Sequence, residues 1–188
     1  MRKIWFYVMM MCCALVAFSS CNEDKEEPID EEWKLANETV FNEIAKKAEK
    51  GEDGYKRIIS PGGNNGFVCY KVLKEGDGTE PIYFNSAVKH YYSGKYILSA
   101  QETDQYHYFD NQYDAPPNPP TTFYVNSNVD GWTIALPEMK VGDRWEVWVP
   151  QQLGYGSSGY RVSTSSPYII PPYTTLIFEI EVVEIMEP

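Results

Sequence analysis

The chain has 188 residues, with 16 Lys and Arg against 27 Asp and Glu and a formal charge of −11 at pH 7. So acidic a surface repels phosphate backbones and anionic headgroups, which argues against nucleic acid as a partner. Any membrane attachment must then come from something other than a basic patch.

Arg2 and Lys3 open the chain, an apolar run from Ile4 to Phe18 comes next, and the small pair Ser19-Ser20 stands directly before Cys21. The run is about fifteen residues, short of the roughly 20 that cross a bilayer, so residues 1–20 read as an export signal. The small-small-Cys ending resembles a bacterial lipobox, although Phe18 stands where Leu is more usual. That resemblance implies acylation of Cys21 and a lipid-anchored place in the cell envelope of a Gram-negative bacterium; Glu23 and Asp24 just after Cys21 point to the outer membrane, with its periplasmic or outward face left open. Loss of Arg2 and Lys3 with the signal takes the charge to about −13. The acid-rich run Glu23 to Glu32 reads as a solvated tether, with residues 21–30 as the link.

From Glu31 to Lys50 the apolar residues Trp33, Ala36, Val40, Phe41, Ile44, Ala45 and Ala48 recur at spacings of three and four. This predicts one amphipathic helix, stopped by Gly51, within an N-terminal segment 31–58. Alone it is too little to be a domain, and packing on the next domain or spacing that domain from the membrane is favoured over pairing with another copy.

Residues 59–188 read as that next domain. After the loop Ser60 to Gly66 the predicted strands are Phe67–Leu73, Ala87–Tyr96, Thr122–Val125, Arg144–Val149 and Thr175–Ile185. In the last, Leu176, Phe178, Ile180 and Val182 share one face, as in a half-buried antiparallel strand. Gly131 to Leu136 reads as a short helix capped by Asp130 and cut off by Pro137. The fold class is α+β: a twisted antiparallel sheet wrapped on one short helix, preceded by the amphipathic one.

Cys12 and Cys13 leave with the signal and Cys21 is taken by acylation, so Cys69 is left alone in the folded part, where it reads as a small buried hydrophobe. One Cys and two distant His make no metal site. Gly156-Ser157-Ser158-Gly159 has the wrong spacing for a hydrolase nucleophile turn, and a strand rather than a helix comes after Gly62 to Gly66, which argues against phosphate binding there.

Fifteen Tyr, eight Phe and five Trp are many for this length, and several lie beside Gly, Pro or Asp, where aromatics often line a concave surface. Six runs occur in order: Tyr92-Ser93-Gly94; Phe109-Asp110; Val129-Asp130-Gly131-Trp132; Met139-Lys140-Val141-Gly142-Asp143; Pro150 with Leu153-Gly154-Tyr155-Gly156; and Ile169 through Phe178. Together they resemble the FKBP-type peptidyl-prolyl isomerases. The resemblance implies a pocket floored by Trp132, walled by Tyr92, Phe109, Val129, Ile169, Ile170 and Phe178, with Asp110 and Tyr155 at the rim. Phe109, Asp110, Trp132 and Tyr155 are the expected catalytic set, without cofactor, metal or covalent step. Proline-containing polypeptides are the implied partners and a macrolide an implied ligand. Thr121 stands where the family usually places an aromatic wall and Asn128 where an aliphatic residue is usual; these two support the alternative of a peptide-binding or chaperone lipoprotein that keeps the fold without catalysis, while the joint presence of Phe109, Asp110, Val129, Trp132, Tyr155, Ile170 and Phe178 favours the isomerase.

Overall fold

A computed structural model describes residues 30–61, 66–113, 118–163, 167 and 169–186. The leader, Cys21, most of the tether and much of the proline-rich insertion at Ala115 to Pro120 lie outside them.

Helix α1 spans Glu31–Lys50. Asp30 caps it by accepting from the Trp33 N–H at 2.9 Å; Glu31 and Glu32 sit in its first turn and Lys47 and Lys50 in its last, so both ends complement the helix dipole. Gly51 ends it at φ 69°, a left-handed conformation that glycine adopts without a side-chain penalty.

Among the described residues seven strands come after it: β1 Tyr55–Ile59, β2 Phe67–Lys74, β3 Ala87–Ile97, β4 Tyr106–Asn111, β5 Thr121–Tyr124, β6 Arg144–Val149 and β7 Leu176–Met186. They form one antiparallel sheet in the order β1-β2-β6-β7-β3-β4, with β5 also paired to β3. The short helix α2, Asp130–Ala135, lies between β5 and β6 in the chain.

β1 and β4 were not expected from the sequence. Both are outer strands with largely part-exposed residues, so neither shows the apolar–polar alternation that reveals a half-buried strand. The expected cap of α2 is also corrected. Val129 occupies the N-cap with no side-chain bond, and Asp130 is the first helical residue, where its carboxylate complements the dipole instead. α2 ends at Ala135 and a 3-10 turn, Leu136–Glu138, carries Pro137.

Both faces of the sheet are covered, and the strands read accordingly. Val68, Val147, Val149, Leu176 and Phe178 point to the face that receives Trp132 and Leu136. Their neighbours Cys69, Trp148 and Ile177 point to the opposite face, where Val40, Phe41 and Ile44 of α1 close over them. α1 therefore packs on the domain. Each of its large apolar residues contributes on the order of 1.5–3 kcal/mol by burial. Cys69 is fully buried, and burial pushes its thiol up to about 12, as suits an inert core residue.

One buried carboxylate fixes the turn into β6. Asp143 accepts from the Gly76 N–H at 2.7 Å and the Lys140 N–H at 2.8 Å, tying the loop after β2 to the end of the α2 segment. Gly142 lies at φ 92°, and a Cβ on Gly76 would come within 2.3 Å of the Val141 carbonyl, so both positions require glycine.

Candidate functional site

The inward face of β3, β4 and β7 meets α2 in a continuous set of aromatic rings. Trp132 is held by α2 because Gly131 lets the helix approach β6; a Cβ at Gly131 would meet Val149 at 2.4 Å. The Trp132 ring meets Phe178 at 5.3 Å and 89° and Tyr92 at 5.3 Å and 86°. Phe178 meets Phe109 edge-on at 5.9 Å, and Phe109 stacks on Tyr96 at 6.1 Å. Perpendicular contacts of this kind set ring edges against ring faces and fix the geometry more tightly than aliphatic packing would. Phe109 reaches its place because Gly94 lies beneath it, where a Cβ would sit 2.3 Å from the ring tip. The runs Tyr92-Ser93-Gly94 and Gly131-Trp132 thus have separate steric reasons.

Exposure grades across the cluster. Trp132, Phe178 and Ile170 are 3%, 5% and 1% exposed and make the buried base of the cluster, whereas Tyr92, Phe109, Val129 and Tyr155 are half-buried and Ile169 is 36% exposed. Asp110 is exposed and accepts a short hydrogen bond from the Tyr92 hydroxyl. Burial first, and then that bond to Asp110, hold the Tyr92 phenol above its ordinary pKa, so it stays a donor. Burial also raises the Tyr155 phenol, whose ring lies 5.2 Å from Tyr160. Every site residue expected from the sequence except Cys21 therefore falls within the described structure. Tyr92, Phe109, Trp132 and Phe178 are linked ring to ring, and Asp110 joins them through Tyr92.

The two departures resolve differently. Thr121 faces inward opposite His90 and accepts from the Gln112 amide, whose oxygen in turn accepts from the Tyr92 N–H. Two residues along the same strand face, Phe123 brings a ring to 6.3 Å from Tyr92 and 5.2 Å from His90. An aromatic wall is present, supplied by β5 one step of the pleat away. Asn128 donates to the Tyr124 carbonyl at 2.8 Å, so it ties the 3-10 turn Val125–Ser127 to the strand before it.

His90 belongs to this aromatic cluster, although the sequence motifs do not include it. It is fully buried, with its ring 5.1 Å from Trp132 and 5.8 Å from Tyr92. Nδ1 pairs with the Val88 carbonyl at 3.0 Å, while Nε2 finds no partner among the described residues. Burial lowers its pKa, which keeps the imidazole neutral, with Nδ1 as the donor. Its position two residues before Tyr92, on the same strand face, was the available signal.

A separate cavity of about 320 Å³ lies between α1 and the end of β6, lined by Glu38, Phe41, Asn42, Phe67, Gln151 and Leu153 among others. None of the aromatic set borders it.

Comparison with known proteins agrees with this arrangement. The family model described as FKBP-type peptidyl-prolyl cis-trans isomerase matches residues 81–183, more than half of the chain. The FKBP-type 22 kDa peptidyl-prolyl cis-trans isomerase of Escherichia coli (strain K12) is 35% identical over 117 residues, covering 62% of this chain and 49% of that protein. The peptidyl-prolyl cis-trans isomerase Mip of Coxiella burnetii is 34% identical, and a Legionella longbeachae protein named outer membrane protein MIP is 33% identical; each alignment covers 73% of this chain and 50% of the relative. A solved peptidyl-prolyl cis-trans isomerase from Pseudomonas syringae pv. tomato superposes with a TM-score of 0.60 at 25% identity, covering 86% of this chain and 98% of that one. The alignments span about half the length of these curated relatives. By its family-model match, its sheet topology and its aromatic cluster, this chain belongs to the FKBP-type peptidyl-prolyl cis-trans isomerase family.

Proposed function

We propose that the chain is a peptidyl-prolyl cis-trans isomerase acting on exported polypeptides. The observation that carries this reading is the ring set Tyr92, Trp132, Phe178 and Phe109, with Asp110 bonded to Tyr92 at its lip. Rotation about an X-Pro amide must break a resonance that sets a barrier of about 18–20 kcal/mol. In the twisted state the carbonyl loses conjugation and depends less on polar solvation, so an apolar box favours it over the planar amide.

In this reading the proline ring sits on Trp132, between Phe109, Phe178, Val129 and Ile170, with Ile169 and Phe123 extending the rim. The Val129 N–H and the Tyr155 hydroxyl hold carbonyls of the substrate. Asp110, oriented by Tyr92, acts on the rotating carbonyl electrostatically, and no proton needs to move. A thousandfold acceleration requires only about 4 kcal/mol of differential stabilisation, within reach of an apolar box and two hydrogen bonds. The same box would accept a macrolide. The Phe123 ring weakens one of the two grounds for a non-catalytic binding module, the missing aromatic at Thr121, and leaves the other, Asn128 in place of an aliphatic residue.

The leader ending Ser19-Ser20-Cys21 and the Legionella relative's name support a lipid anchor on Cys21 and an outer-membrane location. Among the described residues no helix is long and apolar enough to cross a membrane.

The test is a protease-coupled rotation assay with the detergent-solubilised full chain and peptides that vary the residue before proline. Acceleration of at least one peptide supports catalysis. A folded chain inert on all of them would reduce the pocket to a binding site. Metabolic labelling with palmitate, lost in Cys21→Ser, tests the anchor.

A further inference from the structure

α1 precedes the family match at residues 81–183, yet it holds the loop that carries two of the pocket residues. The Trp33 indole donates to the Pro172 carbonyl at 3.0 Å and to Thr174 Oγ1 at 3.2 Å. One turn on, buried Asn37 accepts from the Thr175 N–H at 2.8 Å through its side chain and from Thr175 Oγ1 at 2.9 Å through its backbone carbonyl. Lys34 lies over the Tyr173 ring at 5.1 Å. Three residues from the first two turns of one helix thus grip Pro172 to Thr175.

The gripped segment is strained. Tyr173 has φ 59°, a conformation that a residue with a bulky side chain adopts only where its surroundings enforce it. Its N–H is bound to the Gly156 carbonyl at 2.8 Å, next to Tyr155, so the loop also sets the neighbourhood of the rim phenol.

Trp33 reaches the pocket by a second route. Its ring meets Tyr96 edge-on at 5.9 Å; Tyr96 stacks on Phe109 and donates its hydroxyl to the Ile169 carbonyl at 3.2 Å. Trp33 packs against both hydrophobic cores, the one under α1 and the one under the pocket.

We propose that α1 is a positioning element of the isomerase pocket, with Trp33 and Asn37 holding the Ile169–Thr175 loop directly and Trp33 holding Phe109 through Tyr96. This rests on the pocket being the catalytic site. A loop pinned at one end by a separate helix keeps Ile169 and Ile170 in register with Trp132, and release lets the strained segment relax away from it. The domain matched by the family model would accordingly be an impaired enzyme without its preceding helix.

The experiment compares the detergent-solubilised full chain with Trp33→Phe, which keeps a ring beside Tyr96 but loses the indole N–H, and Asn37→Ala. Ile44→Ala, which removes packing under α1 about two to three turns away from the Asn37 and Trp33 bonds to the loop, is the control. Amide hydrogen exchange is the first readout. The account expects Ile170 and Tyr173 to exchange about tenfold faster in Trp33→Phe and Asn37→Ala while Ile180 in β7 is unchanged, since only the loop opens. Rotation kinetics are the second: kcat/KM falls about fivefold in both variants, as for one lost hydrogen bond, and stays near the parent value in Ile44→Ala. Loop amides that exchange no faster relative to Ile180 would overturn the proposal, as would kcat/KM held within about twofold of the parent in both variants. A parent that is folded but inert would sink the isomerase reading alone, and the exchange pattern would still decide whether α1 holds the loop.

Discussion

The two faces of the sheet treat buried polar groups in opposite ways. Under α1, Trp148 Nε1 donates to Glu146 at 2.8 Å, Tyr55 donates to the same carboxylate at 2.7 Å, and Asn37 is bonded through its side-chain oxygen, side-chain nitrogen and backbone carbonyl. On the pocket face three buried nitrogens, His90 Nε2, Trp132 Nε1 and Trp145 Nε1, lack a partner among the described residues. Where such a group goes unpaired it costs about 1–3 kcal/mol, and among the described residues all three of these nitrogens lie on the pocket face. A face built for stability alone would not be expected to retain them; a face that must keep aromatic surface available to a substrate can.

The sharpest way to break this comparison is to remove the ring common to the cluster. Trp132→Ala deletes a nearly fully buried indole and should lower unfolding free energy by about 3–5 kcal/mol in denaturant titration, and rotation activity should disappear with it. A variant that stays as stable as the parent would show that the indole is not packed as described.

On the other face, Ile44→Ala should lower stability by about 2–4 kcal/mol, from the same titration, yet leave the kcat/KM of the folded fraction near the parent value. A parallel fall in activity would mean that the packing around Ile44 and the pocket are not separable.

A smaller effect comes from His90. Its folded-state pKa is lowered by burial, so the unfolded chain binds the proton more readily. Its contribution to stability is therefore full above the unfolded value of about 6.5 and is lost as pH falls through that value toward the folded one, at up to about 1.4 kcal/mol per pH unit. Melting from pH 7.5 down to 5.0 should show this slope in the parent and less of it in His90→Leu. Equal slopes would place the acid sensitivity elsewhere.

Smallest is Phe123→Ala, which trims a rim residue 37% exposed and should change kcat/KM by about two- to fivefold, chiefly through KM, with little change in melting temperature. An unchanged KM would remove Phe123 from the substrate path.

What could be read from the sequence depended on burial. β6 matches its expected span residue for residue, and β7 is displaced by one, because both are central strands whose side chains are strongly sorted by face. β1 and β4 were hidden because each has one open edge and little to bury. The aromatic cluster of the candidate site was legible wherever a glycine and an aromatic stand together, at Gly94 beneath Phe109 and at Gly131 beside Trp132, since each pair has a local steric cause. Phe123 was missed because position-by-position likeness pointed to Thr121, and a wall moved by two residues keeps its face but loses its place in a motif. Tyr96 and Trp33 act through contacts distant in the chain, Trp33 with Pro172 and Tyr96 with Ile169, which no local pattern records.

The central claim is that the aromatic set on one face of the sheet carries turnover and the apolar packing around Ile44 under α1 carries stability, with Trp33 and Asn37 in the first turns of α1 reaching across to the pocket loop. It is tested most directly by measuring rotation kinetics and denaturant stability side by side for Asp110→Ala and Ile44→Ala in the full chain. The account predicts a crossed result: Asp110→Ala loses about tenfold or more in kcat/KM while remaining about as stable as the parent, and Ile44→Ala loses stability but not kcat/KM. If activity and stability fall together in both variants, or if Asp110→Ala turns over as fast as the parent, the assignment of separate roles to the aromatic set and to the packing around Ile44 is contradicted.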